Sequence, residues 1–331
     1  MQLSKYIVIT TLFFLFFLPS YSQTQLHLGW EQILDNREYR TPVQYSQTIL
    51  GMRSYADVSY KFDSTSMLVG GGSFLYEYGS RSKHLEPDLT AYYQYNDKRF
   101  RMNFGAFPRK NLLNYPLALL EDTLQYYRPN IEGGFFQYST HIFHQNVWCD
   151  WTSRQTLTDR ENFLFGSSGA LNLGPVFIHN YFVMLHNAGA MIKVVNDHVE
   201  DNGGILVRMG LDLKQWIPFD SLSLSGGCLQ FMERQRGKTD FILNRGAVIE
   251  MCANYKMFGF NALHFQGKGE HLIFGDKFYQ ADRYSRLAIY WIPFKFKGIN
   301  SRIELDFHFT KGYNDSAQKF FIYADIDKLF K

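Results

Sequence analysis

RIELDFHF, residues 302–309, alternates apolar and polar side chains without a break. The apolar set is Ile303, Leu305, Phe307 and Phe309, and the polar set is Arg302, Glu304, Asp306 and His308. A period of two is the mark of a β-strand with two different faces. Charges of both signs are unusual on a face that meets a packed protein layer. The pattern therefore predicts a strand with one apolar face and one face in water.

The same alternation recurs along most of the chain. Val207, Met209 and Leu211, for example, alternate with Arg208 and Asp212. This pattern predicts strands near 24–33, 47–62, 67–79, 88–95, 98–107, 130–139, 141–154, 161–173, 175–188, 203–216, 220–233, 241–255, 257–268, 279–294, 301–311 and 319–330. Many of them are close to the roughly 9–11 residues with which a tilted strand crosses a bilayer.

The lengths of the connections alternate as well. Connections after even-numbered strands are short, as at 63–65, 96–97 and 173–175, whereas most of the others are longer, including 108–129 and 312–318. Outer-membrane barrels have short turns on one side and longer loops on the other. The sequence thus predicts an all-β fold, a transmembrane antiparallel up-and-down β-barrel of about 16 strands (between about 12 and 18), with both termini on the short-turn side.

The first residues predict export. Lys5 precedes an apolar run, and Pro19, Ser20 and Ser22 lead to a cleavage point before Gln23. A charged start, an apolar centre and small residues before the cut are typical of a signal peptide. We therefore expect a signal peptide at 1–22 and a single barrel domain at 23–331, located in a bacterial outer membrane.

Composition excludes several other classes. The net charge is +3 with both signs plentiful, which gives no basic surface for nucleic acid. Cys149, Cys228 and Cys252 are an odd, scattered set that fits neither a disulfide framework nor a zinc site. We expect no cofactor and no metal. The oligomeric state stays open.

A wide barrel has a water-filled interior, so its inward polar residues predict the lining of a pore. The candidates are Arg53, Asp57, Arg101, Arg208, Asp212, Arg302, Glu304 and Asp306. The lipid of the outer membrane would contact the opposite, apolar faces.

The longest connection, Pro108–Pro129, is predicted to contain a short helix that begins at Pro116. If the loop folds inward, its charges would narrow the pore and orient polar solutes; if not, it would cover the outer mouth. The constriction candidates are Arg109, Lys110, Glu121, Asp122 and Arg128.

Two further polar clusters in the sequence are candidate binding sites. Trp148, Asp150, Trp151 and Arg154 are candidates for sugar contact, although tryptophan at a strand end is more often a membrane-interface anchor. Asp197, His198, Glu200 and Asp201 could bind a metal, but a solvated loop is the simpler interpretation.

An enzyme is not expected from the sequence. Some outer-membrane barrels are hydrolases that use serine and histidine on the outer rim, and both residue types occur here, at His141, His144, His179 and His186 and at Ser153, Ser167 and Ser168. No spacing pairs a nucleophile with its base, and G-x-S-x-G and H-E-x-x-H are absent from the sequence. No catalytic residue is predicted.

The whole mature chain resembles the porin-like outer-membrane proteins of Gram-negative bacteria. GAFPRKNLLNYPLALLEDTLQYYRPNIEGG, at 105–134, and VWCDWTSRQTLTDRE, at 147–161, are similar to a largely uncharacterised porin-like group. The final segment resembles the aromatic-ended strand by which barrels are recognised by the barrel-assembly machinery, although Lys331 follows Phe330 here.

The resemblance implies a channel for passive diffusion of small polar solutes such as sugars. A structural or secretion-associated barrel is the alternative, followed by a barrel hydrolase and a soluble periplasmic β-protein.

Overall fold

The computed structural model describes residues 23–80, 87–192 and 198–329. The predicted signal peptide at 1–22 and the terminal Phe330 lie outside these ranges. None of the described helices is long and apolar enough to cross a membrane.

The described residues form one antiparallel sheet that closes on itself. Its strands are β1 (Thr24–Glu38), β2 (Gln47–Lys61), β3 (Ser66–Glu77), β4 (Asp88–Asn96), β5 (Phe100–Pro108), β6 (Asn130–Ser139), β7 (Phe143–Ser153), β8 (Asn162–Leu173), β9 (Val176–Asn187), β10 (Glu200–Asp212), β11 (Ser221–Gln235), β12 (Ile242–Tyr255), β13 (Phe258–Gly267), β14 (Arg283–Trp291), β15 (Lys295–Phe296), β16 (Ile299–Thr310) and β17 (Tyr313–Asp325). The two residues of β15 continue the path of β14 beside β16. The wall therefore has sixteen strands, and the predicted all-β antiparallel barrel is confirmed.

Closure is made by the first and last strands. β1 pairs with β2 on one side and with β17 on the other, from Gly29 opposite Asp325 to Glu38 opposite Ser316. Every neighbouring pair in the ring is antiparallel, as an up-and-down barrel requires. A closed ladder leaves no sheet edge unpaired, which is the condition for a sheet to span lipid.

The ends of the barrel differ. Long connections, at 109–129, 188–199 and 268–282 for example, meet at one end, which we call the long-loop rim. Connections such as 62–65, 97–99 and 174–175 meet at the other end, the short-turn rim. One predicted long loop, at 312–318, is wrong: β17 already begins at Tyr313, because Gly312 adopts φ +84° and closes a tight hairpin.

Strand faces follow the alternation. Val207, Met209 and Leu305 are exposed on the outer wall, whereas Glu304 and Asp306 are buried inside the barrel. Strand alternation thus separates an apolar exterior from a polar interior.

The interior is nevertheless not polar throughout. Loop 109–129 folds into the barrel and meets loop 268–282 there, with Glu121 N–H donating to Phe274 O over 2.7 Å and Asp276 N–H donating to Leu117 O over 2.8 Å. We call these two loops together the plug. Leu113, Leu119, Leu124, Leu272 and Phe278 of the plug pack against wall residues in one apolar cluster: Phe107, Ile131, Phe135, Trp148, Leu164, Leu206, Leu229, Phe231 and Phe265.

The short helix of the long loop is present but displaced. Pro116 opens a turn in which Leu119 and Leu120 both donate to its carbonyl, and the helix itself spans Leu124–Tyr127. The turn ends at Leu120 because the next N–H, that of Glu121, is donated to the other plug loop.

Candidate active site

The predicted constriction residues lie inside the barrel, and most pair with the wall. Arg109 contacts Asp150 at 2.5 Å, and Lys110 contacts Glu31 at 3.0 Å. Burial lowers the pKa of Arg109 and of Lys110, and their carboxylate partners oppose that shift. Arg128 donates to Thr152 O over 3.4 Å.

Asp122 fastens the plug to two wall cations. It contacts Arg37 at 2.9 Å and Lys319 at 2.7 Å. Burial alone would raise its pKa, but Lys319 and Arg37 hold the pKa well below its ordinary value. Burial raises the pKa of the neighbouring Glu121.

The predicted lining residues belong mostly to ion pairs. Arg53 is buried and contacts Asp88 at 2.6 Å, and Arg208 pairs with Glu250. Arg302 pairs with Glu304, and Asp306 lies between Lys319, at 2.8 Å, and Arg286, at 2.7 Å. The other three candidates are more accessible: Asp57 and Arg101 are partly buried, and Asp212 is exposed.

The four candidate sugar contacts do not form one site. Trp148 and Asp150 are buried inside the barrel, where Trp148 donates to the Tyr115 hydroxyl over 2.8 Å and Asp150 holds Arg109. Trp151 is exposed on the outer wall, and Arg154 lies in an exposed loop position. Alternation along β7 sends the tryptophans to opposite sides of the wall.

A different set of residues comes together on the outer wall near the long-loop rim. Leu185 and Leu206 belong to the interior cluster, and Asn202 donates to His271 O in the plug. Their neighbours His186 and Asp201 therefore point outward. Strand register places Trp151 opposite Phe163, Phe163 opposite His186, His186 opposite Asp201, and Asp201 opposite Arg234. We call these five residues the outer-wall row.

The centre of the outer-wall row is a histidine–carboxylate pair. His186 Nδ1 lies 2.7 Å from Asp201 Oδ1, and the Asp201 side chain is 3% exposed. Arg234 Nη2 and Arg236 Nε contact the other carboxylate oxygen at 2.6 and 3.0 Å. Two guanidinium groups thus fix the carboxylate, and the carboxylate fixes the imidazole.

One end of the outer-wall row is aromatic, and the arginine at the other end lies against an aromatic ring. Trp151 and Phe163 stack with ring centroids 5.2 Å apart, and Phe163 lies 4.9 Å from the His186 ring. Arg234 lies over the Phe241 ring at 4.2 Å. Aromatic rings beside charged groups are typical of a membrane–water interface.

This arrangement is suited to base catalysis. A carboxylate on Nδ1 keeps the proton on that nitrogen and leaves Nε2 to accept a proton from a reactant. His186 Nδ1 contacts Asp201. Among residues 23–80, 87–192 and 198–329, no hydroxyl group forms a hydrogen bond with His186 Nε2. The ring is 18% exposed, which leaves an approach to it from outside the barrel.

Sequence spacing did not reveal the pair. In the sequence, His186 is one of several scattered histidines, and Asp201 belongs to a separate polar run. Of that run, Asp197 lies outside the described residues, and His198 contacts Glu200 at 2.8 Å. Across the described part of the chain no group of three or more histidine, cysteine or acidic residues is placed to hold a metal.

The fold resembles solved porins. An anion-selective porin from Comamonas acidovorans matches with a TM-score of 0.57 and 9% identity, covering 91% of this chain and 99% of the porin. OmpT of Vibrio cholerae matches with a TM-score of 0.55 at 10% identity, over 93% and 99% of the two chains. OmpF of Salmonella typhi, in complex with daunomycin, has the same TM-score and identity over 92% and 99%. At these identities the similarity shows the porin-like barrel fold alone and carries no information on function.

No curated protein matches the chain. The model of one protein family, described as lipid A 3'-O-deacylase-type, matches residues 18–326. The expectation that the chain is not an enzyme is therefore wrong, because the family that it matches is an enzyme family. Because the match covers nearly the whole chain, this protein, with its porin-like barrel fold, belongs to the lipid A 3'-O-deacylase-type family.

Proposed function

We propose that this protein is an outer-membrane hydrolase that removes an acyl chain from a lipid A-type glycolipid, with His186 as its base. The single observation that carries the assignment is the outward-facing contact of His186 with Asp201, at 2.7 Å on the outer wall near the long-loop rim. The family match supplies the substrate class.

The position fits a substrate anchored in a bilayer. Such a lipid reaches a barrel sideways, so a site that acts on it belongs on the outer wall and not in the lumen. Longer loops of outer-membrane barrels face the exterior, and with this orientation the outer-wall row would lie at the level of the outer leaflet. The exposed Trp151 and Phe241 would mark the interface at that level.

The chemistry follows from the two ring nitrogens. His186 Nε2 takes a proton from water as the water oxygen attacks the ester carbonyl, and Asp201 stabilises the imidazolium that forms. The same proton then passes to the departing alkoxide. The products are a free fatty acid and the glycolipid with one more hydroxyl.

The arginines would serve the charged part of the substrate. Arg236 is 52% exposed and Arg234 is 28% exposed, so both guanidinium groups are accessible while they hold Asp201. Guanidinium groups bind phosphate in a bidentate way. They would orient a phosphorylated headgroup beside His186.

Passive diffusion of small polar solutes such as sugars has less support. A diffusion channel needs an open polar lumen, whereas the apolar cluster of plug and wall fills part of this one. A structural or secretion-associated role has no specific contact in its favour among the described residues.

The test uses purified barrel mixed with lipid A in detergent micelles, with released fatty acid as the readout. His186→Gln should lower the rate by about 100-fold or more, the usual contribution of a general base. His264→Gln is the matched control, because His264 is also on the outer wall near the long-loop rim and contacts the Ser285 hydroxyl at 2.8 Å. If His264→Gln lost activity and His186→Gln kept it, the site would lie on β13 and β14, and the proposal would be contradicted.

A further inference from the structure

A second histidine joins a hydroxyl to a carboxylate, at the opposite end of the barrel. His27 Nε2 lies 3.1 Å from Ser59 Oγ, and His27 Nδ1 lies 3.6 Å from Asp327 Oδ2. His27 stands opposite Asp57 in the β1–β2 ladder, and Ser59 follows two residues later on the same face. This face is the inner one, because Arg53 on the same side of β2 donates to Tyr126 O in the plug.

Barrel closure supplies the third member. Asp327 belongs to the helix Ile326–Leu329, which follows β17 and packs against β1. The β1–β17 register already places Gly29 opposite Asp325. Residues from the two ends of the described chain are thus brought to one imidazole, near the short-turn rim.

The two ring nitrogens have different partners, and this is the property that matters chemically. A carboxylate near Nδ1, here at ion-pair distance, stabilises the imidazolium that forms when Nε2 accepts the serine proton. Nucleophile, base and orienting acid in that order are the parts of an activated serine. Apart from its contact with His27, the Ser59 hydroxyl lies 3.5 Å from Gln25 O.

The site is sheltered but has an open side. Ser59 is 2% exposed, while the His27 side chain is 37% exposed. The exposed part of the imidazole is the side from which a substrate would reach the serine.

We propose that Ser59 is a second, independent nucleophile that takes an acyl group from a carboxylic ester reaching the short-turn rim. Ser59 Oγ bonds to the acyl carbon, its proton passes to His27 Nε2, and that proton leaves with the alcohol as the ester C–O bond breaks. Water then attacks the acyl-serine, gives its proton to His27, and releases the fatty acid while Ser59 regains a proton. No other reactant is needed.

An alkyl fluorophosphonate tests the nucleophile directly. Attack by Ser59 forms an O–P bond and expels fluoride, and the serine proton passes through His27 to solvent. Full-length folded barrel should carry the phosphonyl group on Ser59, located by peptide mass spectrometry. Ser59→Ala should lose that label.

The mechanism is read from variants that keep the serine. His27→Gln should slow labelling of Ser59 by about 100-fold, and Asp327→Asn should slow it by a smaller factor, because the acid acts only through the base. Ser73→Ala is the matched control: Ser73 is also buried on the inner wall, where its hydroxyl accepts from Arg53 over 2.8 Å, and labelling of Ser59 should not change.

Two results would overturn the proposal: no phosphonyl group on Ser59, or equal labelling rates in wild type and His27→Gln. His186→Gln should label like wild type, since His186 lies on the outer face near the other rim. If the proposed function of His186 fails, labelling of Ser59 is still expected. If labelling of Ser59 fails, the proposed function of His186 is unaffected.

Discussion

His186 and Asp201 are fifteen positions apart in the chain, yet His186 Nδ1 lies 2.7 Å from Asp201 Oδ1 across β9 and β10. The connection between the two strands is one of the long ones, so the pair stands where both strands reach the long-loop rim. Because Leu185 and Asn202 face the interior, the pair faces outward, toward whatever surrounds the barrel.

The first prediction concerns the acid of this pair. Asp201→Asn keeps the shape but allows the amide to donate to Nδ1, which favours the wrong tautomer of His186. We expect fatty-acid release to fall by about 100-fold or more while the barrel remains folded. Rates measured on purified variants check this. An Asn variant as active as wild type would mean that Asp201 only braces Arg234 and Arg236.

The second prediction concerns the two faces of the wall. Val207 is 48% exposed near the middle of β10, so Val207→Arg would place a charge in the hydrocarbon and cost about 2–4 kcal/mol of unfolding free energy. Asp212→Asn, at the exposed end of the same strand, should cost far less. Equilibrium unfolding in lipid vesicles measures both changes. Equal costs would contradict the placement of the barrel in a bilayer.

The third prediction concerns the plug. Deleting Leu112–Gln125 removes Leu113, Leu119 and Leu124 from the interior cluster together with the Asp122 contacts. We expect the wild type to conduct poorly in planar bilayers and the deletion to conduct well. Deleting 156–159, in the β7–β8 connection, is the control and should change nothing. High conductance of the wild type would show that the plug leaves an open path.

The fourth prediction concerns pH. Burial raises the pKa of Asp276 to about 6, with Asp122 adding to the shift. The packed plug therefore binds a proton that the free loop would release, so Asp276 favours packing at low pH and loses that effect as pH rises through about 6. Lys319 and Arg37 keep Asp122 ionised over this range.

Backbone hydrogen exchange of 268–282 measures the effect. At pH 8, Asp276→Asn should protect this loop more than wild type does, by on the order of 1 kcal/mol, and the two should converge below about pH 4, where the carboxyl of the free loop is also protonated. Comparing variants at one pH removes the intrinsic pH dependence of exchange. Identical protection at pH 8 would show that Asp276 does not control the packing.

Local alternation was enough to predict the barrel, because each strand carries its own two faces in sequence. The strand at 302–309 and its two faces can be predicted from RIELDFHF alone, without the neighbouring strands. Loop lengths predicted the two rims for the same reason. The start of β17 was missed because Asn314, Asp315 and Ser316 have the composition of a loop, and the ladder with β16 makes them a strand.

The candidate site could not be predicted in this way. The contacts of His186 depend on strand register, which puts Phe163, Asp201 and Arg234 in one row although they lie far apart in sequence. Spacing motifs do not detect such a row. The partner of the long loop was missed for a similar reason, since loop 268–282 shows no apolar period of its own.

The mass of lipid A tests the central claim most directly. Lipid A extracted from Gram-negative cells that produce the wild-type barrel should lose the mass of one acyl chain, whereas cells that produce His186→Gln at equal levels should keep every chain. Cells that produce His264→Gln should resemble the wild type. Lipid A of unchanged mass with properly inserted wild-type protein, or loss of the acyl chain in His186→Gln cells, would contradict the account.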